Sequence, residues 1–525
     1  MKELIYHRQF FPAIERWANK VGFHDGAYHA TFAQHGDRVM RLAHAMRHQL
    51  GLRPDERFAV MSANSHQYLE LFHAGFLGAG VINPLNLRLA GAELQHILRD
   101  SGTSVVFVDE IFADHFARNI ADVRAELPLR HVVLIGNGDE SRDLPHDLRY
   151  EDLIASGEPV IPPEPEETDP AVLMYTGGTT GVSKGALLEQ RAEILNFYHI
   201  GLSVDFDESR VYLHQTPMFH AASMGGIAGI PATGGTSVFV PLFEPGQVLQ
   251  AIEEHRVNWT VMVPTMIALL MNHPEFRPER LASLRDLVYG ASPMPAALLD
   301  RVMTTFPEID LWQGYGMTEC SSILTILTPA DHRKGGALLR SAGRPATGIQ
   351  VSVRRTDDTS AAIGENGEIC ARGGNFMREY WGRPEQTETA FRDGWYRTGD
   401  EGHVDENGYL YLVDRVKDMI VTGGENVYSI EVENAISTHP AVEQVAVIGI
   451  PHEVWGEQVH AIVVLRRDSS ATEDEIREHA RESIAGYKVP KSVEFRTEPI
   501  PLSGALKPLK RELRLPYWEG HQQAG

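Results

Sequence analysis

The sequence has 525 residues, 43% hydrophobic and 23% charged. That is ordinary globular usage, and it excludes a disulfide-stapled mini-protein, a fibrous repeat and bulk disorder; at about 150 residues per domain it predicts three to four packing units. Forty-eight Lys and Arg stand against 71 Asp and Glu, a formal charge of −23, which argues against nucleic acid as a partner and against polybasic membrane attachment, so any anionic ligand must meet a local cluster of donors.

In chain order, the start MKELIYHRQFFPAIERW lacks an apolar run ending in small residues, and no secretory signal is expected. Thr31 opens a helix carrying Leu42, Ala45 and Met46 at helical spacing. Arg57–Met61 reads as a buried strand, Tyr68–Leu77 as an apolar helix, and Val81-Ile82, Ser104–Val108 and His131–Ile135 as further strands. Strands alternating with helices predict parallel α/β layers. Residues 156–170, rich in Pro and Glu, predict an exposed connector. A strand at Val172–Tyr175, a loop and a second strand at Gly185–Leu188 follow. Residues 211–243 hold no Asp, Glu, Lys or Arg, but five glycines and a proline at their centre predict a buried core segment rather than a membrane span. A strand at Tyr409–Val413 precedes the last hundred residues. These read as a compact α+β unit, with strands at Val445–Ile450 and His460–Leu465, then a helix capped by Thr472 and Glu475 with Ile476, Ala480 and Ile484 on one face. The two cysteines, Cys320 and Cys370, make neither a disulfide framework nor a zinc site, and no HExxH occurs; a reducing cytoplasm is the expected compartment.

The segment with most chemistry is Tyr175-Thr-Gly-Gly-Thr-Thr-Gly-Val-Ser-Lys184-Gly. Glycines let backbone N–H groups converge on an anion, threonine hydroxyls add donors, and a lysine adds charge. It does not fit the G-x4-G-K-[ST] loop, and a strand rather than a helix follows it. The combination points to polyphosphate.

This loop resembles the signature YTSGTTGxPKG of the adenylate-forming (AMP-binding) superfamily, and further matches follow in the family's order. Asn83–Arg88 resembles an early NPxNxR element, Pro217–His220 resembles PLFH, and Gln313–Glu319 resembles YGxTE. Tyr396–Asp400 resembles YRTGD, and Asp414–Tyr428 resembles DRxKDxIxxGGxNVxP. The matches are collinear over roughly residues 80–515, and the chain most resembles the acyl-CoA synthetase branch. The resemblance implies an α/β fold: a large N-terminal multi-layer α/β domain, 1–413, for ATP and the acid, and a small mobile α+β domain, 414–525, carrying the catalytic lysine. It implies that Thr176, Gly177, Gly178, Thr179, Thr180 and Lys184 hold the β- and γ-phosphates of ATP. Tyr315 would stack on adenine beside the Gly290-Ala291-Ser292 turn, Thr318 would reach the α-phosphate, and Glu319 would hold Mg²⁺. Asp400 would accept the ribose hydroxyls with Arg415 near them. Gly423 and Gly424 would line a pantetheine tunnel for coenzyme A, and Asp414 would be the hinge.

The family's terminal motif PxTxTGK[IL]xR aligns Lys507 with the catalytic lysine and leaves Lys510 as the rival cation. An acid pocket is expected behind His220, which counts among the catalytic candidates. Its walls would be Met224, Gly225, Gly226, Val263, Gly290, Gly314, Met317 and Ile323, apolar and uncharged, so that a fatty or aromatic acid fits better than an amino acid. Gly177, Ser183, Glu189-Gln190, Ser429 and Leu506 depart from the family pattern. The implied reaction is ATP-dependent acyl-CoA synthesis through an acyl-adenylate, releasing AMP and pyrophosphate. Two alternatives stay open: an adenylating ligase with a non-CoA acceptor, and a catalytically weak acyl- or nucleotide-binding protein. The implied partner is a small carboxylic acid, with no nucleic acid and no integral membrane segment; a homodimer stays open.

Overall fold

The computed structural model describes residues 2–136, 147–176, 183–415, 420–422, 425–452, 455–502 and 508–519. Among them the strands form four sheets. In an eight-stranded sheet, Val81–Pro84, Arg57–Met61, Val105–Asp109 and His131–Ile135 pair in parallel, and Pro170–Thr176 joins Val81–Pro84 in parallel. These strands are almost wholly buried, as central parallel strands covered by helices must be. Lys184–Glu189 returns antiparallel to Pro170–Thr176, pairing Thr176 with Lys184. The two strands that flank the threonine- and glycine-rich segment are therefore paired as a hairpin.

A nine-stranded sheet has Val211–His214, Trp259–Met262, Asp286–Gly290 and Asp310–Tyr315 as parallel neighbours. The uncharged stretch 211–243 supplies the strand Val211–His214, the fully apolar helix Met224–Ala232 and the strand Thr236–Phe239, nearly all buried. It is the core segment its composition predicted, and among the described residues no helix is long and apolar enough to cross a membrane. The helix Phe32–His48 starts as expected, with Thr31 and Gln34 forming a reciprocal capping box.

A third, antiparallel sheet covers 350–415 and holds Trp395–Val404 between Gly367–Arg372 and Leu410–Arg415. The strand expected to stop at Val413 continues: Asp414 pairs with Glu401 and Arg415 with Asp400. Asp414 is thus the penultimate residue of a strand, because the ladder to Trp395–Val404 runs two residues further than hydrophobicity indicated. A register shift between Glu401 and Gly402 lies opposite it. The fourth sheet contains Val442–His452, Gly456–Leu465 and Ser492–Arg496, packed with the helix Glu473–Arg481, whose Thr472–Glu475 capping box is also present.

Candidate active site

In open α/β sheets ligands collect beyond the carboxyl ends of parallel strands. Here the ends of Val81–Pro84 and Pro170–Thr176 from one large sheet, and of Trp259–Met262, Asp286–Gly290 and Asp310–Tyr315 from the other, border one cavity of about 2210 Å³. Asp400 of the third sheet and residues 501–502 and 508–509 complete its wall.

Gly290 and Gly314 are register partners. A Cβ on Gly290 would stand 2.1 Å from the Gly314 carbonyl oxygen, so only glycine permits this flat, close approach. Ala291 follows at φ +64°, a left-handed conformation that a non-glycine residue holds only where its surroundings enforce it. Tyr315 ends its strand and donates its hydroxyl to Asp400 Oδ2 at 2.6 Å. Burial first, and then the Asp400 charge, hold the Tyr315 phenol well above its ordinary range.

Thr318 and Glu319 sit on a short 3₁₀ turn. Asn375 fixes it from outside, its Nδ2 donating to the carbonyls of Cys320 at 2.8 Å and Ile323 at 3.1 Å, while Ser321 Oγ donates to Asn375 O at 3.0 Å. Ser322 Oγ donates to Asn196 Oδ1 at 3.1 Å. Glu319 Oε1 accepts the Tyr380 hydroxyl at 2.8 Å, and Tyr380 meets the Tyr396 hydroxyl at 3.2 Å. The Lys184 ammonium lies 5.2 Å from the centre of the Tyr380 ring, so that one tyrosine joins the cation of the hairpin to the acid of the turn. The hairpin is anchored as well: Tyr175 donates to Asp100 Oδ2 at 2.7 Å, and Arg383 pairs with Asp100 Oδ1 at 2.6 Å.

His220 borders the cavity, and its Nδ1 accepts the Ala222 N–H at 3.2 Å, which leaves the proton of a neutral ring on Nε2. Gly225, Gly226, Val263, Gly314, Met317 and Ile323 also line the cavity. Met224 does not: it is 1% exposed and packed in the large core, because the helix turns its Gly225–Gly226 face, not Met224, toward the open space. Thr176, Lys184, Gly290, Ala291, Ser292, Tyr315, Thr318, Glu319 and Asp400 are brought together on the cavity wall. Gly177, Gly178, Thr179, Thr180, Gly423, Gly424 and Lys507 lie outside the described residues, and for Asp414 and Arg415 only the backbone is described. The flanks of Lys507 are placed, however. Leu502 and Pro508 form a bridge at the cavity, and Arg88 Nη1 donates to Leu502 O at 3.3 Å. Lys510 is engaged elsewhere, with Glu433 at 2.7 Å and Ser429 Oγ at 2.6 Å.

Among the described residues no group of three or more His, Cys, Asp or Glu could cage a metal ion. A single carboxylate beside hydroxyls and an ammonium instead suits Mg²⁺ carried in on a polyphosphate. Tyr380, Asn375 and Asn196 were not anticipated. Tyr396 lay within a quoted motif without a role.

Residues 10–381 match the AMP-binding enzyme family, and residues 431–507 match the AMP-binding enzyme C-terminal domain. The chain is 40% identical over 487 residues to feruloyl-CoA synthase of Amycolatopsis sp, spanning 92% of this chain and 93% of that protein. It is 36% identical over 488 residues to the long-chain-fatty-acid–CoA ligase FadD13 of Mycobacterium tuberculosis, spanning 93% of each. Its structure matches ATP-bound MatB from Rhodopseudomonas palustris with a TM-score of 0.87 at 26% identity, over 99% of this chain and 100% of that one.

Proposed function

The chain belongs to the AMP-binding enzyme family, and from that premise we propose that it is an AMP-forming acyl-CoA synthetase for an apolar, fatty or aromatic carboxylic acid. The observation that carries this reading is the meeting on one cavity of Lys184, Thr318, Glu319 and Asp400 with the two flanks of Lys507.

A carboxylate is a poor electrophile because its leaving group would be oxide. Attack of a carboxylate oxygen on the α-phosphorus of ATP, with loss of pyrophosphate, exchanges that leaving group for AMP. Catalysis of this step is positioning and charge neutralisation. Lys184 and the hairpin segment Thr176–Thr180 hold the β- and γ-phosphates. Tyr315 and the Gly290–Ser292 turn form the adenine slot, and Asp400, oriented by Tyr315, accepts the ribose hydroxyls with Arg415 beside it. Thr318 meets the α-phosphate, and Glu319 would hold Mg²⁺, which would neutralise phosphate charge. Lys507 lies between carboxylate and α-phosphate and offsets the repulsion of two anions. His220 closes the acid end of the cavity, and the glycines and apolar side chains around it exclude water from the adenylate.

The second step moves the acyl group from AMP to the thiol of coenzyme A. Residues 1–413 form the large domain and 414–525 the small one, which turns at Asp414. A strand end opposite a register shift supports this, since hinges sit at element termini. After the turn Gly423 and Gly424 replace Lys507 at the cavity and admit the pantetheine arm. Two buried free cysteines accord with a cytoplasmic enzyme. Acid-dependent exchange of labelled pyrophosphate into ATP, with coenzyme A omitted, tests the adenylation step; no exchange with any acid from C2 to C18 or any benzoate or cinnamate would refute it.

A further inference from the structure

The segment 375–381 straps the turn of Glu319 to the strand that begins at Lys184. Asn375 holds the turn through the carbonyls of Cys320 and Ile323. Two residues on, the Met377 N–H donates to the Glu319 carbonyl at 2.7 Å. The Arg378 and Trp381 N–H groups then donate to the carbonyls of Leu187 and Gly185, at 2.8 and 2.7 Å, and Tyr380 is the register partner of Ala186. The Tyr380 N–H itself is met by Thr387 Oγ1 at 3.0 Å. The backbone of Tyr380 is thus fixed against both elements, and the residue, 9% exposed, lines the cavity.

Its side chain reaches back to the residue whose carbonyl the strap already holds. The hydroxyl donates to Glu319 Oε1 at 2.8 Å. A phenol has one proton, so the 3.2 Å contact with Tyr396 runs the other way, Tyr396 donating to the Tyr380 oxygen. Bonds in such a chain strengthen one another. Burial first, and then the Glu319 charge, hold the Tyr380 phenol above its ordinary range, so it keeps its proton and remains a donor. Among the described residues Glu319 Oε2 has no hydrogen bond and Glu319 has no ion pair. The carboxylate therefore has one oxygen fixed and one open, while the Lys184 ammonium stands over the ring of the same tyrosine. Outer partners that orient a metal-binding carboxylate typically matter about 10–100-fold for metal affinity.

Resting on the acyl-CoA synthetase reading above, we propose that Tyr380 is a positioning residue for the magnesium form of ATP: its hydroxyl, backed by Tyr396, pins Oε1 of Glu319 so that Oε2 is the oxygen offered to Mg²⁺. Tyr380 acts through Glu319 rather than on the nucleotide or the acid. The hydroxyl serves the carboxylate and the ring serves Lys184, so the two halves of this side chain have separable roles.

The test measures Kd for ATP by calorimetry with no acid present, once in excess Mg²⁺ and once in EDTA. The wild type should bind the magnesium form more tightly. Tyr380→Phe keeps the ring and its contact with Lys184 and removes only the donor. It should weaken the magnesium form about tenfold and leave metal-free ATP within about twofold. In a Glu319→Gln background the same change should not alter the ratio of the two Kd values further. Equal weakening of both forms would overturn the proposal, since Tyr380 would then only pack, and so would an unchanged ratio or a further loss in the Glu319→Gln background. If Tyr380→Phe does not fold, Tyr396→Phe decides: it removes the bond that steadies the Tyr380 hydroxyl, the ratio should fall about threefold, and an unchanged ratio overturns the proposal. A wild type that binds ATP but does not distinguish its two forms overturns the proposal and leaves the synthetase reading standing. A wild type that binds neither form overturns that reading and the proposal with it.

Discussion

Tyr315 and Asp400 stand 85 residues apart and on different sheets, yet the tyrosine hydroxyl lies 2.6 Å from the carboxylate. One hydrogen bond thus couples the surface proposed for adenine to the group proposed for ribose. A bond to a charged acceptor is worth about 1.5–3 kcal/mol. Tyr315→Phe should therefore raise KM for ATP by roughly tenfold while kcat for the best acid falls less. Combined with Asp400→Asn, the loss should be smaller than the sum of the two single losses, because both changes break one bond. Additive losses would show that the two residues act separately.

Lys507 and Lys510 are told apart by experiment, and the partners of Lys510 set the expectation. Lys510 joins the helix Lys510–Trp518 to Glu433 and Ser429 of the helix Ser429–Ser437. Lys510→Ala should lower the melting temperature and leave the adenylation rate of the folded enzyme within a few-fold. Lys507→Ala should do the reverse: adenylation falls by about 10²–10³, as on removal of a transition-state donor, with little change in melting temperature. Thioester formation from supplied acyl-adenylate should survive in Lys507→Ala. A loss of adenylation in Lys510→Ala alone would exchange the two assignments.

Glu193 is fully buried behind the turn that presents Glu319, with its Oε1 unpartnered and the Ser321 hydroxyl beside the carboxyl group. Burial pushes its carboxyl up to about 8, with the Ser321 contact acting weakly in the opposite sense. The folded protein therefore keeps a proton that the unfolded chain releases near 4.5. Stability is full below that value, is lost as pH rises toward 8, and levels off above it. Glu193→Gln carries no such proton, so its stability should gain on the wild type between pH 5 and pH 8, by on the order of 3–5 kcal/mol at most, read as a difference in melting temperature that shifts in favour of the variant as pH rises. A gap between the two proteins that does not change with pH would place a charged Glu193 in the fold.

What was legible in the sequence was local. The two strands on either side of the threonine- and glycine-rich loop, the helix start at Thr31, the capping box at Thr472, and the motif residues that line the cavity are each written within about twenty positions. Tyr380 and Asn375 were not legible. They reach Glu319 and Cys320 across 61 and 55 residues, and nothing next to either of them marks the contact. Met224 was misplaced because its helix is apolar on every side, and periodicity then assigns no face. The end of the strand Leu410–Arg415 was missed for a related reason: Asp414 and Arg415 are charged, and their strand pairing is set by the neighbouring backbone rather than by hydrophobicity.

The central claim is that one cavity joins an acid to coenzyme A through AMP, and the products of a complete reaction test it most directly. The purified enzyme is supplied with ATP, Mg²⁺, coenzyme A and a panel of aryl and alkyl acids, and all products are identified by mass spectrometry. Acyl-CoA, AMP and pyrophosphate are expected in equal amounts, with acyl-adenylate and pyrophosphate, and no acyl-CoA, forming when coenzyme A is withheld. Formation of ADP and inorganic phosphate, or an adenylate that never passes its acyl group to coenzyme A, would contradict it.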